Sequence, residues 1–250
     1  MMTEVWFWVA ALTAAGLVGM GKGGVPIVGM LGVPVMALVM NPVVAAGLLL
    51  PVYVVSDMFG LYAYRGAFDR RVLAIILPGA VVGIAVGWAT ATVVPEAAVT
   101  LLVGLIGVAF AANLILRKPA VAAPQTPKVA PGLFWGAVAG FTSFVSHAGA
   151  PPYQVYTLPL GMPKAIFAGT STIAFAVINA VKLVPYYALG QLNAGNLKLA
   201  AVLSIPAALA VFAGVRLVNW LPERLFFRLV TWALLLISLK LIWDGVRGLG

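Results

Sequence analysis

Long apolar stretches recur from one end of this chain to the other and constrain its fold more than any other feature. They run from about Val5 to Met20, Val25 to Val39, Val43 to Tyr64, Val72 to Thr92 and Ala97 to Leu116. Five more run Leu133 to Val145, Tyr153 to Leu160, Ala165 to Leu189, Leu197 to Val218 and Leu225 to Trp243. A helix needs about 20 apolar residues to cross a bilayer, and the third, fourth and fifth stretches of each set reach that length. The first two of each set are shorter and interrupted by Gly and Pro, which predicts broken helices or a re-entrant hairpin. Only 8% of the 250 residues are charged, against about 25% in soluble domains, too few to cover a water-facing surface. In lipid every backbone polar group must be satisfied within the chain, and helices achieve this locally. The expected fold is an all-α integral membrane protein forming a single membrane domain.

The net charge of +9 resides mostly in short connections, where Lys and Arg orient spans rather than bind phosphate. No basic face large enough for nucleic acid is expected; the bilayer is the expected surrounding. Cysteine is absent and His147 is the single histidine, so thiolate and multi-histidine metal sites are excluded and no cofactor is expected. The chain has no carboxylate pair, Ser/His/Asp set or HExxH-type motif, so it is not read as an enzyme. Met1-Met2-Thr3-Glu4 has no basic character, so the first apolar run is expected to be retained, with Thr3 capping a helix from Glu4.

The two sets of five repeat one another. Lys22-Gly23-Gly24-Val25-Pro26 aligns with His147-Ala148-Gly149-Ala150-Pro151, an offset of 147 − 22 = 125, and Pro34 meets Pro159 at the same offset. Gly66-Ala67-Phe68-Asp69 matches Gly190-Gln191-Leu192-Asn193 at 190 − 66 = 124, and Val94-Pro95-Glu96 matches Leu221-Pro222-Glu223 at 222 − 95 = 127. The expected organisation is a first repeat over 1–116, a cytoplasmic linker over 117–131 and a second repeat over 132–250. Arg65, Arg70 and Arg71 follow the third segment, and Arg117, Lys118 and Lys128 follow the fifth. The connection around Pro95 has no basic residue. In the second set the bias reverses: Arg216, Arg224 and Arg228 surround the ninth-to-tenth connection, and Lys198 alone follows the eighth segment. By the positive-inside rule the second copy is then inverted, with both termini outside. Inverted repeats with broken helices near the midplane are a transporter plan.

The strongest local signal is Gly19-Met20-Gly21-Lys22-Gly23-Gly24-Val25-Pro26. Glycine this dense allows the backbone to open its amides, and amides at a broken helix end beside a lysine suit an anion. An ordinary turn with a snorkelling lysine is the plain alternative. The equivalent break, Ser143-Phe144-Val145-Ser146-His147-Ala148-Gly149-Ala150-Pro151, adds two hydroxyls and a second cationic side chain. Gly16 to Gly23 reads G-x-x-x-x-G-K-G, but a P-loop needs Ser or Thr where Gly23 stands, so that reading fails. Thr170 and Ser171 open the eighth segment and serve either packing or site lining; Thr172 is expected to serve packing. Asp57 and Lys182 are set deep in long segments, where a charge costs at least about 2.5–3.5 kcal/mol. Each is either an interfacial or snorkelling side chain or part of a coupling or gating device, with Asn179 one turn from Lys182 as companion. Gly79, Gly83 and Gly87 form a packing surface, within the monomer or across a homodimer, and Lys240 is expected to snorkel.

The repeat with its glycine-rich break, the Ala168-Gly169-Thr170-Ser171 stretch and the paired turns at Gly66 to Asp69 and Gly190 to Asn193 resemble the TauE/SafE family of sulfite and sulfonate exporters. The resemblance covers nearly the whole chain and rests mainly on the order of short motifs. It implies transport of sulfite, thiosulfate or organosulfonates such as sulfoacetate across a bacterial-type cytoplasmic membrane. A sulfonate stays charged at physiological pH, so its crossing needs fixed donors in place of water. Lys22, Gly23, Gly24, Ser143, Ser146, His147, Gly149, Thr170 and Ser171 are the expected binding set, and Asp57, Asn179 and Lys182 the coupling or gating set. Import of thiosulfate by the same fold and a non-transporting assembly subunit are the competing readings.

Overall fold

The computed structural model describes residues 2–116, 125–192 and 194–249. The helices are α1 (Met2–Lys22), α2 (Pro26–Gly29), α3 (Gly32–Met36), α4 (Pro42–Ala63), α5 (Arg70–Ala89) and α6 (Glu96–Leu116). They continue with α7 (Val129–Ser146), α8 (Ala150–Thr157), α9 (Lys164–Ala188), α10 (Ala194–Trp220) and α11 (Glu223–Leu249), and a 3-10 turn, Leu158–Leu160, follows α8. Eight of these, with apolar parts of 18 to 27 residues, are long and apolar enough to cross a membrane. The chain is an all-helical, multi-pass membrane protein.

The first limb of each expected hairpin differs from its prediction. α1 is a continuous helix of 21 residues and α7 one of 18; the break is confined to the second limb, α2–α3 and α8 with its 3-10 turn. The glycines of α1 do not interrupt it because a helix is the one local arrangement that satisfies the backbone in lipid, and Gly19 and Gly21 are used for close packing instead. A Cβ on Gly19 would lie 2.0 Å from the Ala207 carbonyl, and one on Gly21 2.6 Å from Gly29 Cα. Val129 to Pro131, within residues 117–131 read as the linker, form the first turn of α7. Arg117, Lys118, Asn193 and the Thr3 side chain lie outside the described residues.

The chain divides into two compact units that each draw on both halves: Met1–Phe68 with Ala168–Leu221, and Asp69–Phe167 with Pro222–Gly250. In the first unit α1 runs parallel to α10, with Gly19 against Ala207 and Ala210 and Gly23 against Val211 and Gly214. α1 is also parallel to α4. Gly60 of α4 lies against the Lys22 carbonyl, while the Tyr53 hydroxyl, two turns earlier, lies beside Gly32 and donates to the Gly29 carbonyl at 2.7 Å. Two parallel neighbours need a return between them, and residues 26–41 supply it. α9 runs antiparallel to α4, with Gly169 against Ala67, Thr172 against Gly60 and Gln191 against Gly47. These are the interior helices: 61% of the most apolar part of α4 and of α9 is buried, against 28% for α10. The outward faces carry exposed apolar residues such as Ile205 and Leu209, as lipid contact requires.

In the second unit α5 runs parallel to α7, and Gly79, Gly83 and Gly87 are used inside the chain, against Leu133, Ala137 and Phe144. α6 and α11 run antiparallel, with Gly104 against Ile242 and Gly245 against Leu101.

The repeated turn motifs fall on helix starts. The Asp69 carboxylate accepts from the Arg71 and Val72 amides at 2.8 and 3.0 Å, capping α5. Pro95-Glu96 and Pro222-Glu223 open α6 and α11, each with its acid in the first turn, where the helix dipole favours negative charge. Asp69→Ala is expected to lower stability by about 1 kcal/mol, the usual loss for a removed N-cap, read as a fall in the unfolding midpoint of the purified protein.

Candidate functional site

Two stripes of side chains face one another in the first unit. On α4 and the residue that follows it, Tyr53, Asp57, Gly60 and Tyr64 recur at intervals of four, three and four; on α9, Thr172, Phe175, Asn179, Lys182 and Tyr186 recur at three, four, three and four. Such spacing puts each set along one helix face. The C-terminal end of α1 is inserted between them.

Lys22, the last residue of α1, is buried there. Its ammonium Nζ lies 2.7 Å from Asp57 Oδ1, and it sits over the Tyr53 ring at 5.2 Å and near the Phe175 ring at 5.9 Å. Such cation–π contacts reinforce a desolvated ammonium. The other Asp57 oxygen, Oδ2, accepts from Asn179 Nδ2 at 2.8 Å. Lys182 is 1% exposed, within Coulombic reach of both Lys22 and Asp57, with its ammonium 5.5 Å from the Tyr186 ring centre. The snorkelling alternatives for Lys22 and Lys182, and the interfacial-anchor alternative for Asp57, therefore do not describe this structure. All three side chains face the interior.

The end of α1 is held by hydroxyls. The Tyr64 hydroxyl donates to the Gly23 carbonyl at 2.7 Å, and Thr172 Oγ1 donates to the Lys22 carbonyl at 3.1 Å. These satisfy carbonyls that a helix leaves open at its C-terminus. Burial pushes the Tyr64 phenol above its ordinary range, so it remains a donor. Thr172 was expected to serve packing; it also closes this helix end. Gly24 has φ +113°, and a Cβ there would meet the Tyr64 hydroxyl at 2.4 Å and Ala168 Cβ at 2.7 Å. Only glycine fits. The expectation that this break opens its amides toward a ligand is not met in this conformation: the Gly23 amide donates to Gly19 and that of Gly24 to Gly21, at 2.9 and 3.3 Å. Tyr64→Phe is expected to leave the buried Gly23 carbonyl unsatisfied and lower stability by about 1–3 kcal/mol, measured as a shift in thermal unfolding.

Thr170 and Ser171 are fully buried on α9, in the same unit as Lys22, Asp57, Asn179 and Lys182. Ser143, Ser146, His147 and Gly149 belong to the second unit. There α7 ends at His147, which is left-handed with φ 53°, and the His147 and Ala148 amides both donate to the Thr142 carbonyl, the latter at 3.2 Å. His147 is the one non-glycine residue with positive φ among the described residues. Ser146 Oγ donates to the Thr142 carbonyl at 3.2 Å, and Ser143 is buried. Gly149 precedes α8, whose first turn contains Pro151 and Pro152, which have no N–H to offer an anion.

Sequence reasoning missed Tyr53 and Phe175, whose stripe spacing was the available signal, and Gln154. The Gln154 side chain is fully buried on α8, and neither of its amide atoms has a hydrogen-bond partner among the described residues.

The family model described as "Sulfite exporter TauE/SafE" matches residues 5–241. No curated protein and no solved structure matches the chain. With nearly the whole length matched, and with eight helices able to cross a membrane, the chain belongs to the TauE/SafE sulfite exporter family.

Proposed function

We propose that the protein is a secondary transporter that exports small sulfur-containing anions, sulfite or organosulfonates such as sulfoacetate, across the cytoplasmic membrane by alternating access. The observation that carries this reading beyond the family match is the buried set of Lys22, Asp57, Asn179 and Lys182 on spanning helices. Ionisable groups inside a membrane protein are costly, and they mark substrate or ion pathways by default. The proposed anion ligands are Lys22, Thr170 and Ser171 in the first unit, and His147, Ser143 and Ser146 in the second. Export down a membrane potential negative inside suits an anion.

An inverted repeat is part of the proposal. With five crossings per half (a long helix, its return and three spans), the second half starts in the opposite direction. Then α10 must run with α1 and α7 with α5. Parallel packing of α1 with α10 and of α5 with α7 supports this; a non-inverted repeat would make both pairs antiparallel. The Asp57–Asn179 hydrogen bond supports it too. Ala46-Gly47 matches Ala168-Gly169 at 168 − 46 = 122, and 57 + 122 = 179. Two equivalent residues that touch lie on the axis relating the halves, which in an inverted repeat lies in the membrane plane.

Flux of sulfite and of a labelled sulfonate out of proteoliposomes tests the reading. Lys22→Ala and His147→Ala are each expected to lower the rate by at least about tenfold, the effect of losing one charge-assisted contact. Normal flux in both variants would remove these residues from the site.

A further inference from the structure

A hydroxyl buried in a helical membrane protein ordinarily donates to a carbonyl of its own helix. In the second unit Thr142 Oγ1 does so to Val138 at 2.8 Å and Thr157 Oγ1 to Tyr153 at 2.9 Å. Gln154 and Ser238 do not. Both are fully buried, and neither the two amide atoms of Gln154 nor Ser238 Oγ has a hydrogen-bond partner among the described residues. They lie where α6, α8 and α11 meet. A Cβ on Gly107 of α6 would collide with Ser238 Oγ of α11 and lie 3.4 Å from Pro151 Cβ of α8. Gln154 follows Pro151 by three residues and so shares its face of α8.

We infer that Gln154 and Ser238 form a hydrogen-bonding subsite for the transported solute, one that selects sulfur oxyanions carrying an O–H group over those with acceptors alone. The inference rests on the proposed anion transport and narrows it. Hydrogen sulfite in its hydroxyl form and hydroxyalkanesulfonates belong to the favoured class. Simple alkanesulfonates and a fully ionised sulfoacetate do not.

The physical reason is the chemistry of the carboxamide. It presents two N–H donors and an acceptor oxygen, and a serine hydroxyl serves in either sense. An ionised sulfonate offers acceptors only. It takes up the donors and leaves Gln154 Oε1 unanswered in a dry interior, where that is costly. A hydroxyl on the same solute answers it. Sites built to bond a substrate hydroxyl reject the analogue lacking it far more strongly than apolar pockets sort by size. No charged side chain is buried among the described residues of this unit, so hydrogen bonding rather than charge sets the choice here. The position suits the role. α8 follows the break at His147 to Gly149, and Gln154 stands about 7 Å along the helix from Gly149, near enough for one two-carbon solute to meet both.

Isethionate and ethanesulfonate are matched probes: both carry one permanent charge on two carbons, and only isethionate adds a hydroxyl. Thermal stabilisation of the purified full-length protein is titrated with each. Wild type is expected to respond to isethionate at a concentration at least about tenfold lower than to ethanesulfonate. Gln154→Leu and Gln154→Met are expected to respond to the two alike. Without either probe they are expected to unfold no earlier than wild type, because an apolar side chain of similar size removes the cost of the unanswered amide. Ser238→Ala is expected to shrink the preference with its midpoint unchanged. A preference unchanged in either Gln154 variant or in Ser238→Ala overturns the subsite and leaves anion transport standing, as does an equal wild-type response to both probes. A midpoint that falls in both Gln154 variants assigns the amide to a buried water only and also overturns the subsite. A wild-type protein stabilised by neither probe overturns the anion transport reading itself.

Discussion

Asp57→Leu is expected to be the most damaging single substitution in the chain, lowering stability by about 3–5 kcal/mol and abolishing anion flux. The carboxylate holds Lys22 on one oxygen and Asn179 on the other. Its removal leaves an ammonium buried without its counter-charge, together with a buried amide that has lost its acceptor. The loss comes from the orphaned Lys22, not from the intrinsic strength of the pair. Lys22→Met/Asp57→Leu should therefore recover most of the stability, since a buried ion pair replaced on both sides by apolar groups is often neutral. Flux should remain lost. Denaturation of the two purified variants side by side gives the answer. A double variant no more stable than the single one would mean that the pair is not why Asp57 is needed.

Gly83→Ala carries the next largest expected effect, about 3 kcal/mol at the upper end of ordinary overpacking. Its added Cβ would lie 2.0 Å from the Ala137 carbonyl and 2.8 Å from the Phe141 amide nitrogen. Both are backbone atoms that cannot swing aside, so α5 and α7 would have to part along their whole contact. Gly16→Ala is the contrast. Nothing lies within 4 Å of a Cβ there, and the same change should raise stability by about 0.5–1 kcal/mol by restricting the unfolded backbone. Unfolding midpoints of the two variants should therefore move in opposite directions from wild type. Equal shifts would mean that the glycines of α5 are tolerated rather than required.

The spans were legible because a bilayer leaves the backbone few choices, and a run of some 20 apolar residues nearly dictates a helix. The expected segment Val43 to Tyr64 and the observed α4, Pro42–Ala63, differ by one residue at each end. The turn motifs at Asp69, Pro95 and Pro222 were legible because they coincide with helix starts. The breaks were read less well. Glycine and proline in Gly16 to Pro26 looked like an interruption of the first segment, yet α1 continues to Lys22, with Gly19 packed on Ala207 and Gly21 on Gly29. Local composition does not reveal whether a glycine bends a helix or admits a neighbour.

The candidate site divides in the same way. Lys22, Asp57, Asn179 and Lys182 each stood out alone, as polar groups in apolar surroundings. Their association did not, because it joins α1 to α4 across 35 positions and α4 to α9 across 122. Tyr64 and Thr172, which close the end of α1, were invisible as a pair for the same reason.

The sequence by itself determined that the chain is helical and lies in a membrane, since both follow from the length and apolarity of its segments, each a local property of the chain. Only the tertiary structure decided that Lys22 is matched by Asp57, that Lys182 faces the interior and that the glycines of α5 serve α7. Those outcomes depend on which helix faces meet at what depth, and burial converts a polar side chain from a solvated ornament into a group that must find a partner.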